Sequence, residues 1–263
     1  MREFLSLQLL AILQGLTEFL PVSSSGHLAL LRKLLDLDTG AKGPALEILL
    51  HGGTLAAVII FYRRRILELA VGLVKRDRDA WKYCSLVVLA CIPAGLLYLA
   101  AHDAVESAFD STLAIGACLV AAGLVLTSLK LVDSTAGSRP SWLQALGIGI
   151  AQALAILPGV SRSGSTYTAA RWLKVSPKEA FDFSFITSIP LVLGSIILKA
   201  RDLTHIASEG RTFPLLVATI LATAVGYAAL KLLEKLRFLK MMWIFGPYCL
   251  VAGAAAILLA TRL

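Results

Sequence analysis

The chain has 263 residues, of which 57% are hydrophobic and only 16% are charged, and its mean hydropathy is +0.79. A water-soluble domain of this size needs more polar surface, so the composition predicts residence in a membrane. The formal net charge of +8 does not indicate nucleic-acid binding. The Lys and Arg residues stand between apolar stretches, where they can meet anionic lipid head groups and fix orientation.

Apolar stretches follow one another along the chain. About 20 apolar residues cross the roughly 30 Å of hydrocarbon in a bilayer, and six stretches are long enough: residues 45–62, 84–101, 113–131, 180–198, 214–233 and 243–260. Two further stretches, residues 4–20 and 143–157, are shorter. The pattern predicts an all-α polytopic membrane protein with six transmembrane helices.

Each of the two shorter stretches runs into a polar break. The first break reads Leu-Pro-Val-Ser-Ser-Ser-Gly over residues 20–26, and the second reads Leu-Pro-Gly-Val-Ser-Arg-Ser-Gly over residues 157–164. Proline and glycine end a helix, so each stretch is predicted to form a re-entrant helical hairpin. Irregular backbone at membrane depth must face protein or a water-filled cavity, and a polar pocket is therefore expected.

The two hairpins match each other at a constant offset of 138 residues. The matched pairs are Gln14 with Gln152, Leu16 with Leu154, Val22 with Val160, Ser23 with Ser161, Ser25 with Ser163, and Gly26 with Gly164. We interpret the single membrane domain, residues 1–263, as two repeats that cover residues 1–131 and 132–263.

The positive residues predict the orientation of these repeats. They crowd two segments, which we place in the cytoplasm: Arg63, Arg64, Arg65, Lys75, Arg76, Arg78 and Lys82 in one, and Lys231, Lys235, Arg237 and Lys240 in the other. Alternation then places both termini outside and makes the repeats inverted, with hairpins entering from opposite sides. Inverted repeats of this kind place their binding sites near the bilayer midplane.

Arg162 lies in the second break, far in sequence from any loop that could reach head groups. Because an intramembrane arginine is costly, we interpret it as functional. Hydroxyl groups surround it in sequence, and the break can present helix N-terminal amides, so the segment suits phosphate oxygens. The hydroxyl residues are Ser161, Ser163, Ser165 and Thr166.

The first hairpin offers groups of the opposite character. Gln14 and Glu18 are four residues apart and so share one helical face. Ser24, Ser25 and His27 follow the break, so a carboxylate, hydroxyls and an imidazole are expected to converge on one phosphate.

Structural roles compete with several of these assignments. Ser23 and Ser161 can act as N-caps, and Arg162 can form an ion pair with Glu18 that locks the hairpins together. Asp182 stands at the start of an apolar span, and this position favours a structural role in which its carboxylate meets the positive end of the helix dipole. For Glu47, which has His51 one turn later, two alternatives remain open: the same structural role and substrate binding.

Both breaks, read with their flanking residues, closely resemble the hallmark stretches of the undecaprenyl-diphosphate phosphatase, or bacitracin-resistance protein, family. These stretches are Gln-Gly-Leu-Thr-Glu-Phe-Leu-Pro-Val-Ser-Ser-Ser-Gly-His over residues 14–27 and Pro-Gly-Val-Ser-Arg-Ser-Gly-Ser-Thr over residues 158–166. The resemblance implies hydrolysis of undecaprenyl diphosphate to undecaprenyl phosphate and inorganic phosphate. It also implies a divalent cation, usually magnesium, and an active site that faces outward from the plasma membrane. This chain carries the amide form of the family's first motif, with Gln14 before Glu18, which weakens any mechanism that needs two carboxylates on the metal.

Roles can be assigned on this basis. Arg162, assisted by Ser161, Ser163 and Thr166, is expected to hold the diphosphate, with Gln14, Ser25 and Glu47 as further substrate-binding candidates. Glu18 binds the cation or acts as a general base, and the nucleophile is His27, Ser24 or water. The polyprenyl diphosphate and membrane lipids are the expected partners, and a homodimer is left open. The rival hypothesis is a secondary transporter or lipid flippase, because inverted repeats and broken helices are equally typical of those proteins.

Overall fold

The computed structural model describes residues 2–35, 44–132, 137–198, 212–238 and 240–261. Within these ranges the chain is helical and holds no strand beyond one isolated bridge between Ser138 and Val175. The α-helices in chain order are α1 Arg2–Phe19, α2 Ser24–Leu35, α3 Pro44–Phe61, α4 Arg63–Val74, α5 Arg78–Asp110, α6 Thr112–Thr127, α7 Trp142–Leu154, α8 Arg162–Trp172, α9 Pro177–Leu198, α10 Thr212–Phe238 and α11 Phe245–Ala260. The prediction of an all-α polytopic membrane protein is confirmed.

Five helical segments of the described chain are long and apolar enough to cross a membrane, and α3 adds a shorter apolar stretch over Leu49–Phe61. The six predicted spans correspond to α3, α5, α6, α9, α10 and α11. Helix α5 is longer than predicted: it begins at Arg78 and bends at Ala101, where φ is −133°. The segment that we predicted as a basic cytoplasmic loop contains the helix α4.

Both predicted breaks are present. Helices α1 and α2 are separated at residues 20–23, where Ser23 has a φ of +69°, and α7 and α8 are separated at residues 155–161, where Gly159 has a φ of +96°. The left-handed backbone conformation at each break ends the first helix and lets the chain turn into the second.

The first helix of each hairpin packs on a span from the other half of the chain. A Cβ atom on Gly15 of α1 would lie 2.9 Å from the carbonyl oxygen of Ala222 in α10, and a Cβ atom on Gly149 of α7 would lie 2.7 Å from that of Ala90 in α5. The two helix backbones in each pair are so close that only glycine, whose side chain is a hydrogen atom, fits at these positions. The packing is the same in both halves, while the division at residues 131 and 132 stays a prediction.

The two basic segments lie at the same end of the molecule. The Lys231 ammonium of α10 lies 5.2 Å from the ring centroid of Phe61 at the end of α3. The Arg65 guanidinium of α4 lies 5.1 Å from the ring of Tyr83 near the start of α5. A shared end is what the positive-inside rule requires of two cytoplasmic segments. The side of the membrane that this end faces stays a prediction.

The predicted role of Asp182 at a helix start is wrong. Helix α9 begins at Pro177, so Asp182 is its sixth residue, and Glu179 is the acidic residue of the first turn. The carboxylate of Asp182 instead accepts a hydrogen bond of 3.1 Å from the Tyr62 hydroxyl, which joins the end of α3 to α9.

Candidate active site

A cavity of about 430 Å³ lies where the two breaks meet. One side of it is polar and is formed by the breaks and by α3, and the other side is apolar and is formed by α5 and α9. Its polar lining is Thr17, Glu18, Ser23, Ser24, Ser25, His51, Gln152, Ser161 and Arg162, together with Ser195 on the otherwise apolar side. The pocket expected from two breaks at membrane depth is therefore present, and five of the ten predicted site residues line it: Glu18, Ser24, Ser25, Ser161 and Arg162.

The tips of the two hairpins are joined directly. Ser23 Oγ accepts a hydrogen bond of 3.4 Å from the Gly26 amide in its own hairpin and one of 3.1 Å from the Gly159 amide in the other. A Cβ atom on Gly26 would lie 3.1 Å from the Gly159 backbone, so the tips touch. Ser161 caps α8 by accepting from the Gly164 amide at 3.2 Å. The N-cap alternative is thus observed at Ser161, and Ser23 has the additional role of holding the second tip.

An ion pair connects the two hairpins inside the cavity. Arg162, the first residue of α8, donates from Nη2 to Glu18 Oε1 over 2.7 Å. The two side chains are only 17% and 7% exposed. Within the described part of the chain the other terminal nitrogen, Nη1 of Arg162, is buried without a hydrogen-bond partner. Nη2 is therefore paired with Glu18, whereas the N–H donors of Nη1 have no acceptor among the described residues.

The second carboxylate oxygen of Glu18 gathers the remaining polar groups of the first hairpin. Oε2 accepts from Ser24 Oγ at 2.7 Å and from Gln14 Nε2 at 3.1 Å. His51 Nε2 of α3 lies 3.7 Å from the same oxygen. Glu18 is consequently the centre of the site, since it contacts a hydroxyl, an amide, an imidazole and a guanidinium at once.

His27 does not join this group, contrary to our expectation. Its Nδ1 is 2.8 Å from the carbonyl oxygen of Ser23, and its Nε2 is 2.8 Å from the hydroxyl of Tyr248 on α11. The imidazole is stacked against the Tyr248 ring with an angle of 11° between the planes. His27 therefore braces the first break against α11, outside the cavity lining.

Three other predicted ligands also lie behind the cavity wall. Gln14 is fully buried under Glu18. The Ser163 hydroxyl is 3.2 Å from that of Ser161. Thr166 donates to the carbonyl oxygen of Arg162 at 2.8 Å and contacts the Ser184 hydroxyl. Each of these side chains contacts a residue of the cavity lining and so helps to hold it in place. Thr166 does so through the carbonyl group four residues earlier in its helix, a common hydrogen bond for threonine. The Glu47 side chain lies outside the described residues.

Four polar residues of the cavity were not assigned roles from the sequence: Thr17, His51, Gln152 and Ser195. His51 was noted only as a neighbour of Glu47, and its proximity to Glu18 arises from the packing of α3 beside α1. Gln152 was noted only as the repeat partner of Gln14; it donates to the Ala90 carbonyl at 3.0 Å, and its Oε1 is buried with no partner among the described residues. In the sequence, the only indication of a role for His51 or Gln152 is that each is a polar residue inside an apolar helix.

The apolar side of the cavity contains two glycines that face open space. A Cβ atom on Gly95 of α5 or on Gly194 of α9 would meet nothing within 4 Å. Around them the lining is Ala94, Tyr98, Phe109, Pro190, Leu191, Val192 and Leu198. The polar end of the cavity thus continues into a gap of apolar character between α5 and α9.

The cavity offers few ligands for the expected divalent cation. Among the described residues no three His, Cys, Asp or Glu side chains are grouped as metal ligands, and Glu18 contributes the one carboxylate of the cavity. Magnesium is commonly held by one or two carboxylates together with substrate phosphates and water. The residues present therefore fit a cation that is shared with a bound diphosphate.

These features define the class: an integral membrane protein with a partly polar cavity at the junction of two broken helices. The chain matches the model of the family described as bacitracin resistance protein BacA over residues 7–255. It is 36% identical to the undecaprenyl-diphosphatase of Desulfatibacillum aliphaticivorans, with 97% of this chain and 98% of the relative covered. It is 38% identical to that of Geobacter metallireducens, with 95% of both covered, and 36% identical to that of Rhodopirellula baltica over the whole of both chains. The chain belongs to the BacA family.

Proposed function

We propose that this protein hydrolyses undecaprenyl diphosphate to undecaprenyl phosphate and inorganic phosphate. One observation carries the proposal: a guanidinium and a carboxylate, Arg162 and Glu18, meet at 2.7 Å in a cavity whose far side is apolar. Such a cavity suits a ligand with a charged head and a hydrocarbon tail. The names of the relatives, all undecaprenyl-diphosphatases over nearly the full chain, support the same substrate.

Arg162 is the group that we assign to the diphosphate. Its buried Nη1 has no partner among the described residues, and its Nη2 can exchange the Glu18 carboxylate for a phosphate oxygen. A guanidinium fork fits phosphate oxygens and stabilises the charge that accumulates on them as the phosphoryl group transfers. Ser161 and Ser25, both in the lining, supply further hydroxyl donors beside it.

Ser24 is the nucleophile that the geometry favours. Its hydroxyl already donates to Glu18 Oε2 over 2.7 Å, so the carboxylate can accept the proton when Arg162 turns to the substrate. Attack of Ser24 Oγ on the terminal phosphorus forms an O–P bond and breaks the bond to the bridging oxygen, which leaves on undecaprenyl phosphate. Water then hydrolyses the phosphoserine to release inorganic phosphate.

Two other nucleophiles remain as alternatives. Glu18 can activate a water molecule for direct attack, with His51 beside it at 3.7 Å as the second acid or base. His27 can reach the cavity only if its imidazole leaves Tyr248. Rapid-quench trapping separates the routes: phosphoserine supports Ser24, phosphohistidine supports a histidine, and a full turnover without an adduct supports water.

A divalent cation, magnesium in the first instance, belongs to the same proposal. Glu18 would hold it together with oxygens of the diphosphate. Once bound it would neutralise charge on the phosphoryl oxygens.

The proposed reaction recycles the lipid carrier for peptidoglycan and cell-wall synthesis and accounts for bacitracin resistance. We further propose a multi-pass protein of the plasma membrane whose termini lie outside, on the basis of the positive residues, and whose cavity faces outward, on the basis of the resemblance; a homodimer is compatible with this proposal. The rival hypothesis of a secondary transporter or flippase is not favoured by the names of the relatives.

The decisive experiment measures phosphate release from undecaprenyl diphosphate by the purified protein in detergent, where no membrane separates two compartments. An enzyme turns the substrate over under these conditions, and a pure transporter does not. Absence of release by the wild type would overturn the proposed hydrolysis. The Arg162→Ala variant serves as the matched negative control, and equal release by both proteins would overturn the role assigned to Arg162.

A further inference from the structure

The first break is held from outside the cavity by two consecutive residues of α11. Cys249 is buried and donates from Sγ to the carbonyl oxygen of Pro21 over 3.6 Å. Tyr248 precedes it, and its hydroxyl lies 2.8 Å from Nε2 of His27. The imidazole and phenol rings are stacked with their centroids 5.7 Å apart. Helix α11 therefore contacts the same break that carries the proposed nucleophile.

The two partners of His27 determine where its proton lies. Nδ1 is 2.8 Å from the carbonyl oxygen of Ser23, and this oxygen can only accept a hydrogen bond, so Nδ1 carries the proton. In the neutral imidazole Nε2 then has a lone pair, which accepts a hydrogen bond from the Tyr248 hydroxyl. Both ring nitrogens are thus engaged, and neither is left to exchange a proton with a substrate or a water molecule.

The carbonyl group that His27 holds belongs to the peptide that leads into Ser24. Its oxygen accepts from the His27 imidazole and also from the His27 amide, the latter at 3.2 Å. Ser23 has a φ of +69°, which is unfavourable for a residue with a Cβ atom and persists only where the surroundings hold it. Because this peptide plane is fixed, the direction of the Ser24 side chain at the start of α2 is fixed as well.

The direction of the Ser24 side chain matters for the proposed chemistry. Its hydroxyl donates to Oε2 of Glu18 over 2.7 Å, and this contact aligns the proposed nucleophile with its base. Reacting groups must be held within about 0.5 Å of the productive geometry, and rotation of the peptide before Ser24 displaces the hydroxyl directly. Neither Tyr248 nor His27 lines the cavity, so both influence the reaction through the residues that they contact.

We propose that Tyr248 is a positioning residue for the reaction. Its hydroxyl holds His27 as the Nδ1-protonated imidazole, and His27 in turn holds the peptide that orients Ser24. His27 therefore has a positioning role rather than a catalytic one. The inference rests on the proposed function, in which Ser24 is the nucleophile.

The first test measures kcat and KM for phosphate release from undecaprenyl diphosphate by the full-length protein in detergent. Tyr248→Phe removes the hydroxyl and keeps the stacked ring. Loss of this one hydrogen bond should lower kcat about tenfold, whereas KM should change little because Arg162 still meets the diphosphate. The matched control, Tyr227→Phe, removes a hydroxyl from α10 near Lys231 and should leave both constants unchanged. An unchanged kcat in Tyr248→Phe would overturn the proposal.

Two variants of His27 separate positioning from proton transfer, and they also serve if Tyr248→Phe does not fold. His27→Asn keeps an N–H donor for the Ser23 carbonyl but cannot transfer a proton at neutral pH, and His27→Leu has no donor. Positioning predicts a kcat about ten times higher in His27→Asn than in His27→Leu. Equal loss in both would assign proton transfer to His27 and overturn the proposal. Adding Tyr248→Phe to His27→Asn should lower kcat no further, and an additive loss would show that Tyr248 does not act through His27.

The tautomer of His27 can be observed without turnover. In protein labelled with nitrogen-15 histidine, each of the four histidines gives its own ring pattern in two-bond proton–nitrogen spectra, and His27→Asn identifies that of His27. The Nδ1–H form is expected, and the Nε2–H form would contradict the proposal. Absence of phosphate release by the wild type would refute the proposed hydrolysis and leave the observed tautomer standing. Normal turnover by a folded Tyr248→Phe would refute the positioning role alone.

Discussion

Arg162 and Glu18, 144 positions apart in sequence, are joined by a 2.7 Å hydrogen-bonded ion pair that connects the two hairpin tips. The pair was the structural alternative to a functional arginine, and the geometry unites the two roles. The same guanidinium keeps the N–H donors of Nη1 without a partner among the described residues, which is the basis for its proposed role toward phosphate.

Replacement of Arg162 should abolish most of the activity. Arg162→Ala removes the only guanidinium in the lining of the cavity as described, and loss of one preorganised donor to a transition state typically lowers the rate about 100- to 1,000-fold. Arg162→Lys retains the charge without the fork and should lie between this variant and the wild type. Phosphate release in detergent gives kcat/KM for each. Arg64→Ala, on the exposed face of α4, is the control, and full activity in Arg162→Ala would refute the role.

The ion pair should also contribute to stability, as a double-mutant cycle can measure. Glu18→Gln or Arg162→Gln alone leaves a buried charge without its partner, which costs about 3–5 kcal/mol. The double substitution removes both charges and should recover part of that loss. Thermal unfolding of the four proteins in one detergent provides the comparison. Strictly additive effects would show that the two side chains are not coupled.

Ser24→Ala should lower kcat by at least 100-fold with little change in KM, because the hydroxyl is proposed to act in the chemical step. Ser25→Ala, the neighbouring hydroxyl of the same lining, is the matched control and should affect KM more than kcat. Single-turnover kinetics with rapid quench would separate binding from chemistry. A Ser24→Ala variant of normal kcat would leave water or a histidine as the nucleophile.

The glycines of the apolar gap should determine how well long substrates bind. A Cβ atom at Gly95 or Gly194 would meet no other atom within 4 Å, so Gly95→Leu or Gly194→Leu fills empty space in the gap. If the substrate tail loses the contacts of even two buried methylene groups, binding weakens by about 1.6 kcal/mol, roughly tenfold in affinity. KM should therefore rise about tenfold for undecaprenyl diphosphate and less for a short prenyl diphosphate. Gly52→Leu on α3 also enters open space but lies outside the cavity lining. Equal changes for both chain lengths would indicate that the gap does not hold the tail.

Gly159→Ala should destabilise the junction of the hairpins. Gly159 has a φ of +96°, and a Cβ atom there would lie 2.5 Å from the carbonyl oxygen of Ile115 in α6. Backbone strain and overpacking together predict a loss of about 2–4 kcal/mol. Thermal unfolding in detergent measures it, and Gly52→Ala, which meets nothing within 4 Å, is the control. Unchanged stability would show that the tips can separate without cost.

Much of this architecture could be read from the sequence, because hydrophobic length and helix breakers are local signals. The spans, the two breaks and the pairing of Arg162 with Glu18 as an alternative all followed from composition and spacing. The long α5 was underestimated, since its ends carry polar residues that extend a helix beyond the apolar stretch.

The directions of the side chains could not be read in the same way. The exit of α2 from the break depends on the left-handed Ser23, which turns Ser24 toward Glu18 and His27 toward Tyr248. His51 approaches Glu18 only because α3 packs beside α1, and no sequence spacing encodes that contact. Hydroxyls such as Thr166 can bond to their own helix or to a ligand, and only the tertiary contact with Ser184 decides between these.

The separation of 144 residues between the members of the ion pair also constrains biogenesis. Ribosomes add about 5–20 residues per second, so Glu18 exists for roughly 7–30 s before Arg162 is made. During that interval its carboxylate has no guanidinium to meet in the membrane interior. We therefore expect the first hairpin to remain near the aqueous interface until the second emerges, so that the polar side of the cavity assembles only after Arg162 has been made. Nascent chains arrested before residue 162 should leave Cys-substituted Ser24 open to aqueous maleimide, and completed chains should protect it.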